Sequence, residues 1–106
     1  MRAARSAIVA LLLAGCLGPK PEVESVDVAR LEGTVALVTI VLRNRGTGDG
    51  QAAVDVTLRA RTSRDVVARA ELLVELHPRE RLRLSRKLRV ASAEDLVAEA
   101  EARYPP

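Results

Sequence analysis

Val54-Asp55-Val56-Thr57-Leu58-Arg59-Ala60-Arg61 sets an apolar residue at every second position, and the stretch from Ala68 to Leu76 (ARAELLVEL) repeats the pattern. A period of two is the signature of strands with one face buried and the other in water. Val35 to Leu42 (VALVTIVL) is a denser, β-branched run, as expected of a central strand. It leads into Asn44-Arg45-Gly46-Thr47-Gly48-Asp49-Gly50, read as a hairpin loop. Val26-Asp27-Val28 marks a weaker first strand, while Leu82, Leu84, Leu88 and Val90 line one side of a later one. Over residues 93–103 two readings stay open. Ser92-Ala93-Glu94-Asp95 resembles a helix-capping box ahead of an Ala/Glu-rich segment. Leu96, Ala98, Ala100, Ala102 and Tyr104 nevertheless alternate without a slip with Val97, Glu99, Glu101 and Arg103, which favours a strand. Strands separated by turn signals predict an all-β, immunoglobulin-like antiparallel sandwich of about six or seven strands.

The chain has 106 residues, enough for one small domain. Aromatic residues make up 1%, with no Trp and no Phe, so the core must be built from aliphatic side chains. Sites that stack bases or sugars on rings are excluded, and nucleic acid is not an expected partner.

The N-terminus has a different character. Arg2 and Arg5 precede an uninterrupted apolar run, Ala7 to Ala14, which ends at Gly15-Cys16. That order is the layout of a cleavable signal peptide, and the run is far short of the ~20 residues needed to span a bilayer. Leu13-Ala14-Gly15-Cys16 resembles the bacterial lipobox, in which cleavage leaves a lipidated cysteine at the new N-terminus. The resemblance implies Cys16 as the acylated anchor and divides the chain into a signal peptide (1–15), a lipidated tether (16–21) and the sandwich (22–106). Leu17, where an Asp would imply retention in the inner membrane, implies the outer membrane, facing the periplasm. Cleavage removes two of the 17 basic residues, leaving 15 against 14 acidic ones, so the basicity of the precursor is no nucleic-acid footprint. With Cys16 the only cysteine, no disulfide staples the domain.

Gly33-Thr34-Val35, Leu42-Arg43-Asn44-Arg45-Gly46, Ala53 to Leu58 (AVDVTL) and Leu76-His77-Pro78-Arg79-Glu80 together resemble the immunoglobulin-like FxLYD and CARDB domains of bacterial envelope proteins. Those domains share a strand ending in N-x-G, a V-x-V-x-L strand and a P-G-E turn. Two departures stand out. Val56-Thr57-Leu58-Arg59-Ala60 replaces the aromatic-bearing motif, and Arg79 occupies the place of the turn glycine. The resemblance implies an accessory or binding module without catalytic residues.

Chemistry-bearing residues are few. His77 has no Cys or second His to complete a metal shell, and beside Pro78 it reads as a turn residue. Gly46-x-Gly48-x-Gly50 is followed by a strand and offers no helix N-terminus to an anion. Ser25, Ser63, Ser85 and Ser92 lack a base. The exception is a basic strand, in which alternation sets Arg81, Arg83, Lys87 and Arg89 opposite Leu82, Leu84, Leu88 and Val90. Such a face meets either water, balanced by Glu71, Glu75, Glu99 and Glu101 on neighbouring strands, or an anionic surface or acidic partner. Arg86 falls on the apolar side unless a bulge near Ser85 re-aims it. The expected function is that of a non-catalytic envelope lipoprotein, without cofactor or metal, acting as a protein-interaction or structural module. It would be held to the membrane by its lipid and engage an envelope protein partner. The alternative is a periplasmic carrier of a small apolar ligand between the two sheets.

Overall fold

A computed structural model describes residues 18–91 and 94–106. Six strands follow in order: β1 (Pro21–Glu32), β2 (Val35–Asn44), β3 (Gly50–Ala60), β4 (Val66–Leu76), β5 (Arg81–Arg89) and β6 (Leu96–Arg103). They form two three-stranded antiparallel sheets, ordered β1-β2-β5 and β4-β3-β6. In an immunoglobulin-like sandwich these are the A, B and E positions of one sheet and the C′, C and F positions of the other.

The dense run forms the centre of the first sheet, where it pairs on both sides. Its inward residues Ala36, Val38, Ile40 and Leu42 pack against Val54, Val56 and Leu58 of β3, with Leu76 and Val90 closing the cluster. Each large aliphatic contributes about 1.5–3 kcal/mol when fully buried, and no ring takes part.

The segment left open between helix and strand is β6. Its inward residues Leu96, Ala98, Ala100 and Ala102 stand opposite Ala60, Leu58, Val56 and Val54. A helix here would leave the second edge of β3 unpaired, a cost the strand removes. Ser92 and Ala93 of the capping-box reading lie outside the described residues.

One expectation is corrected. The loop after Asn44 is no hairpin, because β2 and β3 lie in different sheets. Both edges of β2 are taken, by β1 and β5, so the chain must cross the end of the sandwich to find a new partner. Hairpins occur instead at Gly33-Thr34, between β1 and β2, and across residues 61–65, between β3 and β4.

Candidate functional site

The N-terminal segment meets the sandwich at one pole. Pro19 is buried, the Lys20 N–H donates to Asn44 Oδ1 at 2.9 Å, and the Arg45 N–H donates to the Lys20 carbonyl at 3.0 Å. Residues 18–20 are therefore docked, and within the tether expected over 16–21 the ladder already begins at Pro21. The N-x-G motif explains the docking. Asn44, 1% exposed, ends β2 with its side chain turned inward, and its Oδ1 also accepts from the Gly46 N–H at 2.9 Å. A side chain at Gly46 would sit 2.6 Å from the Gly18 carbonyl oxygen, so only glycine lets the two backbones cross. The Tyr104 ring lies over Gly18 and Gly50, closing the pole from the C-terminal side.

Cys16 lies outside the described residues. Leu17 alone separates it from Gly18, where the described chain begins.

The basic strand is β5, an edge strand of the first sheet. Arg81, Arg83, Lys87 and Arg89 are exposed on the outer face, and Leu82, Leu84 and Leu88 point towards the core. Arg81 reaches over β2 to Glu24 at 2.9 Å. Arg83, Lys87 and Arg89 make no ion pair among the described residues.

Two details differ from the sequence reading. The β2–β5 register runs unbroken through Ser85, so no bulge re-aims Arg86. Arg86 stands opposite Val38 on the inner side and is nonetheless exposed, because an edge strand lets a long side chain carry its charge out past the rim. The glutamates expected beside the cations are elsewhere: Glu71 and Glu75 lie on β4 and Glu99 and Glu101 on β6, all in the second sheet. There two of them, Glu71 and Glu99, meet other arginines. Arg59 pairs with Glu99 at 2.9 Å, while Arg103 bridges Asp55 and Glu71, the latter at 2.7 Å.

Four depressions accompany these faces. Two of about 360 and 390 Å³ flank Asp55 and Thr57 on the outer face of the second sheet. Two of about 210 and 240 Å³ follow the seam between β1 and β6, around Val28, Arg61 and Leu96. All four are open clefts with charged rims, and the two along the seam are lined by inward residues of both sheets, Val26 and Val28 of β1 and Leu96 and Ala98 of β6.

His77 is exposed at the β4–β5 turn, where its N–H donates to Glu80 Oε1 at 3.1 Å. Gly46 and Gly48 belong to the crossover loop and serve Asn44, with the Gly48 carbonyl accepting from its Nδ2 at 2.9 Å. Ser25 and Ser85 lie on exposed strand positions, Ser63 bonds Glu94 at 3.3 Å, and Ser92 is outside the described residues. Sequence reasoning did not single out Asn44, Lys20 or Tyr104 as a cluster. The signal available was the N-x-G motif, whose Asn is buried where a loop residue would be expected to be wet. No family model matches this chain, and no curated protein matches it as a relative.

Proposed function

We propose that the chain is a lipid-anchored cell-envelope lipoprotein whose sandwich is a non-catalytic interaction or structural module. The observation that carries this reading is the placement of Leu13-Ala14-Gly15-Cys16 directly ahead of the docked segment. The two flanking cations, the apolar run, the small residues and the cysteine stand in the order a lipoprotein signal peptidase needs, and the folded domain starts one residue beyond Leu17. Several acyl chains on Cys16, at about 0.8 kcal/mol per buried methylene, give lasting attachment. Leu17 after the anchor favours the outer membrane, facing the periplasm.

The module reading is supported by where the unusual features lie. Two broad sheet faces carry unlike charge, and the two clefts beside Asp55 and Thr57 are open to solvent. Such faces suit contact with another surface.

The decisive experiment is metabolic labelling with tritiated palmitate in a bacterial host, followed by membrane flotation, for the wild type and Cys16→Ser. The wild type should incorporate label and float, and inhibition of the lipoprotein signal peptidase should cause the precursor to accumulate. A Cys16→Ser chain that is still labelled and membrane-bound overturns the reading.

A further inference from the structure

The sandwich is electrically two-sided. On the outer face of the first sheet stand Arg43 of β2 and Arg81, Arg83, Lys87 and Arg89 of β5, against Glu22, Glu24, Asp27 and Glu32 of β1. Two of those carboxylates are already engaged, Glu22 by Arg45 at 2.6 Å and Glu24 by Arg81 at 2.9 Å. The outer face of the second sheet presents Asp55, Glu71, Glu75, Glu99 and Glu101 against Arg59, Arg69 and Arg103. One face is thus net cationic and the other net acidic.

The cationic face also carries apolar surface. Val35, Leu37 and Val41 of β2 point outward and are only half-buried, and Leu31, 48% exposed, lies at the same end of the sheet as Val35. Cations beside an aliphatic stripe are the composition of surfaces that lie in the headgroup region of an anionic bilayer.

Anchor geometry selects the surface this face meets. Resting on the lipid-anchored reading above, we propose that the outer face of the first sheet seats on the anionic bilayer that holds the anchor, with the acidic second sheet turned outward. Two residue steps separate Cys16 from the docked Gly18, a reach of about 7 Å. The chain then runs straight into β1, a strand of the cationic sheet. The bilayer is therefore the one large surface that the anchor itself brings within contact distance of these cations. Laid on its first sheet, the domain sets β5 along the membrane over about 30 Å. Laid on its second sheet, it would press a net acidic face against anionic headgroups, with Glu75 and Glu101 in no ion pair among the described residues.

The test uses the full lipidated chain reconstituted in vesicles. Cys16 is the only cysteine, so Ser85→Cys, at the centre of the cationic face, or Arg69→Cys, on the acidic face, introduces one free thiol for a fluorescent probe. Acrylamide quenching is read in phosphatidylcholine vesicles and in vesicles with about one-third phosphatidylglycerol. In anionic vesicles the probe at 85 should be at least about threefold less quenched than the probe at 69. That difference should vanish in about 0.5 M salt and in a variant with Arg81, Arg83, Lys87 and Arg89 replaced by Gln. Unchanged β-sheet circular dichroism of the quadruple variant shows that the loss is not unfolding.

Equal quenching at both positions in anionic vesicles, with the protein floating, overturns the seating and leaves the anchor reading intact. Shielding at 85 that needs added envelope protein also overturns it, and assigns the face to an acidic protein. If the chain fails to float, the anchor reading fails. The face is then judged by sedimentation of the unlipidated chain with the anionic vesicles. Salt-reversible binding that falls at least about tenfold in the quadruple variant supports the face, and no binding overturns it as well.

Discussion

The buried side-chain amide of Asn44 donates to the backbone carbonyl of His77 at 2.8 Å, tying the end of β2 to the turn between β4 and β5. The same Nδ2 donates to Gly48, and Oδ1 accepts from Lys20 and Gly46, so both donors and both acceptor sites of the amide are used. One side chain thereby joins the N-terminal segment, the sheet-to-sheet crossover and a second crossover turn. A network satisfied in this way fixes one arrangement of its loops.

Asn44→Ala is expected to cost about 2–4 kcal/mol, since four bonds are each worth roughly 0.5–1.5 kcal/mol net and their backbone partners lose a buried mate. Asn44→Asp should be no milder near neutral pH, because a carboxylate oxygen would face the Gly48 and His77 carbonyls. Urea unfolding measures both. A loss under about 1 kcal/mol for Asn44→Ala would show that the pole is held by other means.

Alternation made the strands legible, because each of β3, β4 and β6 has one wet face, and Leu73, 55% exposed on an outward position of β4, did not disguise the pattern. Pairing was a different matter. Nothing local tells β2 that β1 and β5 occupy its edges, so a glycine-rich loop read as a hairpin although the chain leaves the sheet there. The same gap misplaced the glutamates. Glu71 and Glu99 share a polar phase with the cations along the sequence, yet only the order of the strands decides that they face away from β5. The cationic face itself could be read because it lies on one strand. The Asn44 cluster could not, because its members come from four separate segments.

Arg79 is held at φ 60° in the turn His77-Pro78-Arg79-Glu80, closed by the Glu80 N–H donating to the His77 carbonyl at 3.1 Å. This is the left-handed position that related turns fill with glycine. Arg79→Gly should therefore stabilise the domain by about 0.5 kcal/mol, the relief of roughly 1–2 kcal/mol of left-handed strain set against roughly 0.5–1 kcal/mol of added chain entropy. Thermal melts of the two proteins side by side measure it. A lower melting temperature for the glycine variant would mean that the Arg79 side chain contributes more than its backbone costs.

The Arg45 guanidinium, hydrogen-bonded to Glu22 at 2.6 Å, holds that carboxyl below the usual carboxylate range. A depressed folded value means that the pair contributes stability above the unfolded value and loses it as pH falls through the folded one. Arg45→Gln should lower the melting temperature slightly near pH 7 and leave it unchanged near pH 2, and salt should narrow the difference. Equal effects at the two pH values would assign the loss to packing at the pole instead of to the ion pair.

Gly46→Ala tests whether the N-terminal segment is docked by fit. The added Cβ would lie 2.6 Å from the Gly18 carbonyl oxygen, 3.0 Å from the Lys20 nitrogen and 3.2 Å from Asn44 Oδ1, two of which are backbone atoms that cannot swing aside. The segment must lift, while the ladders of β2 and β3 have no reason to change. Hydrogen exchange should therefore separate the two: protection of the Lys20 and Arg45 amides, which bond Asn44 and Lys20, falls at least about tenfold, while that of Ile40 and Val56 stays at the global value. Freeing residues 18–20 lengthens the reach from Cys16 to about 16 Å, so a lipid-anchored domain would tilt more freely over its bilayer. In the same variant the shielding of a probe at Ser85 should weaken even though every cation of β5 is present. Full protection of Lys20 and Arg45 would show that the pole absorbs the methyl group, and that the close crossing at Gly46 is not what holds the segment down.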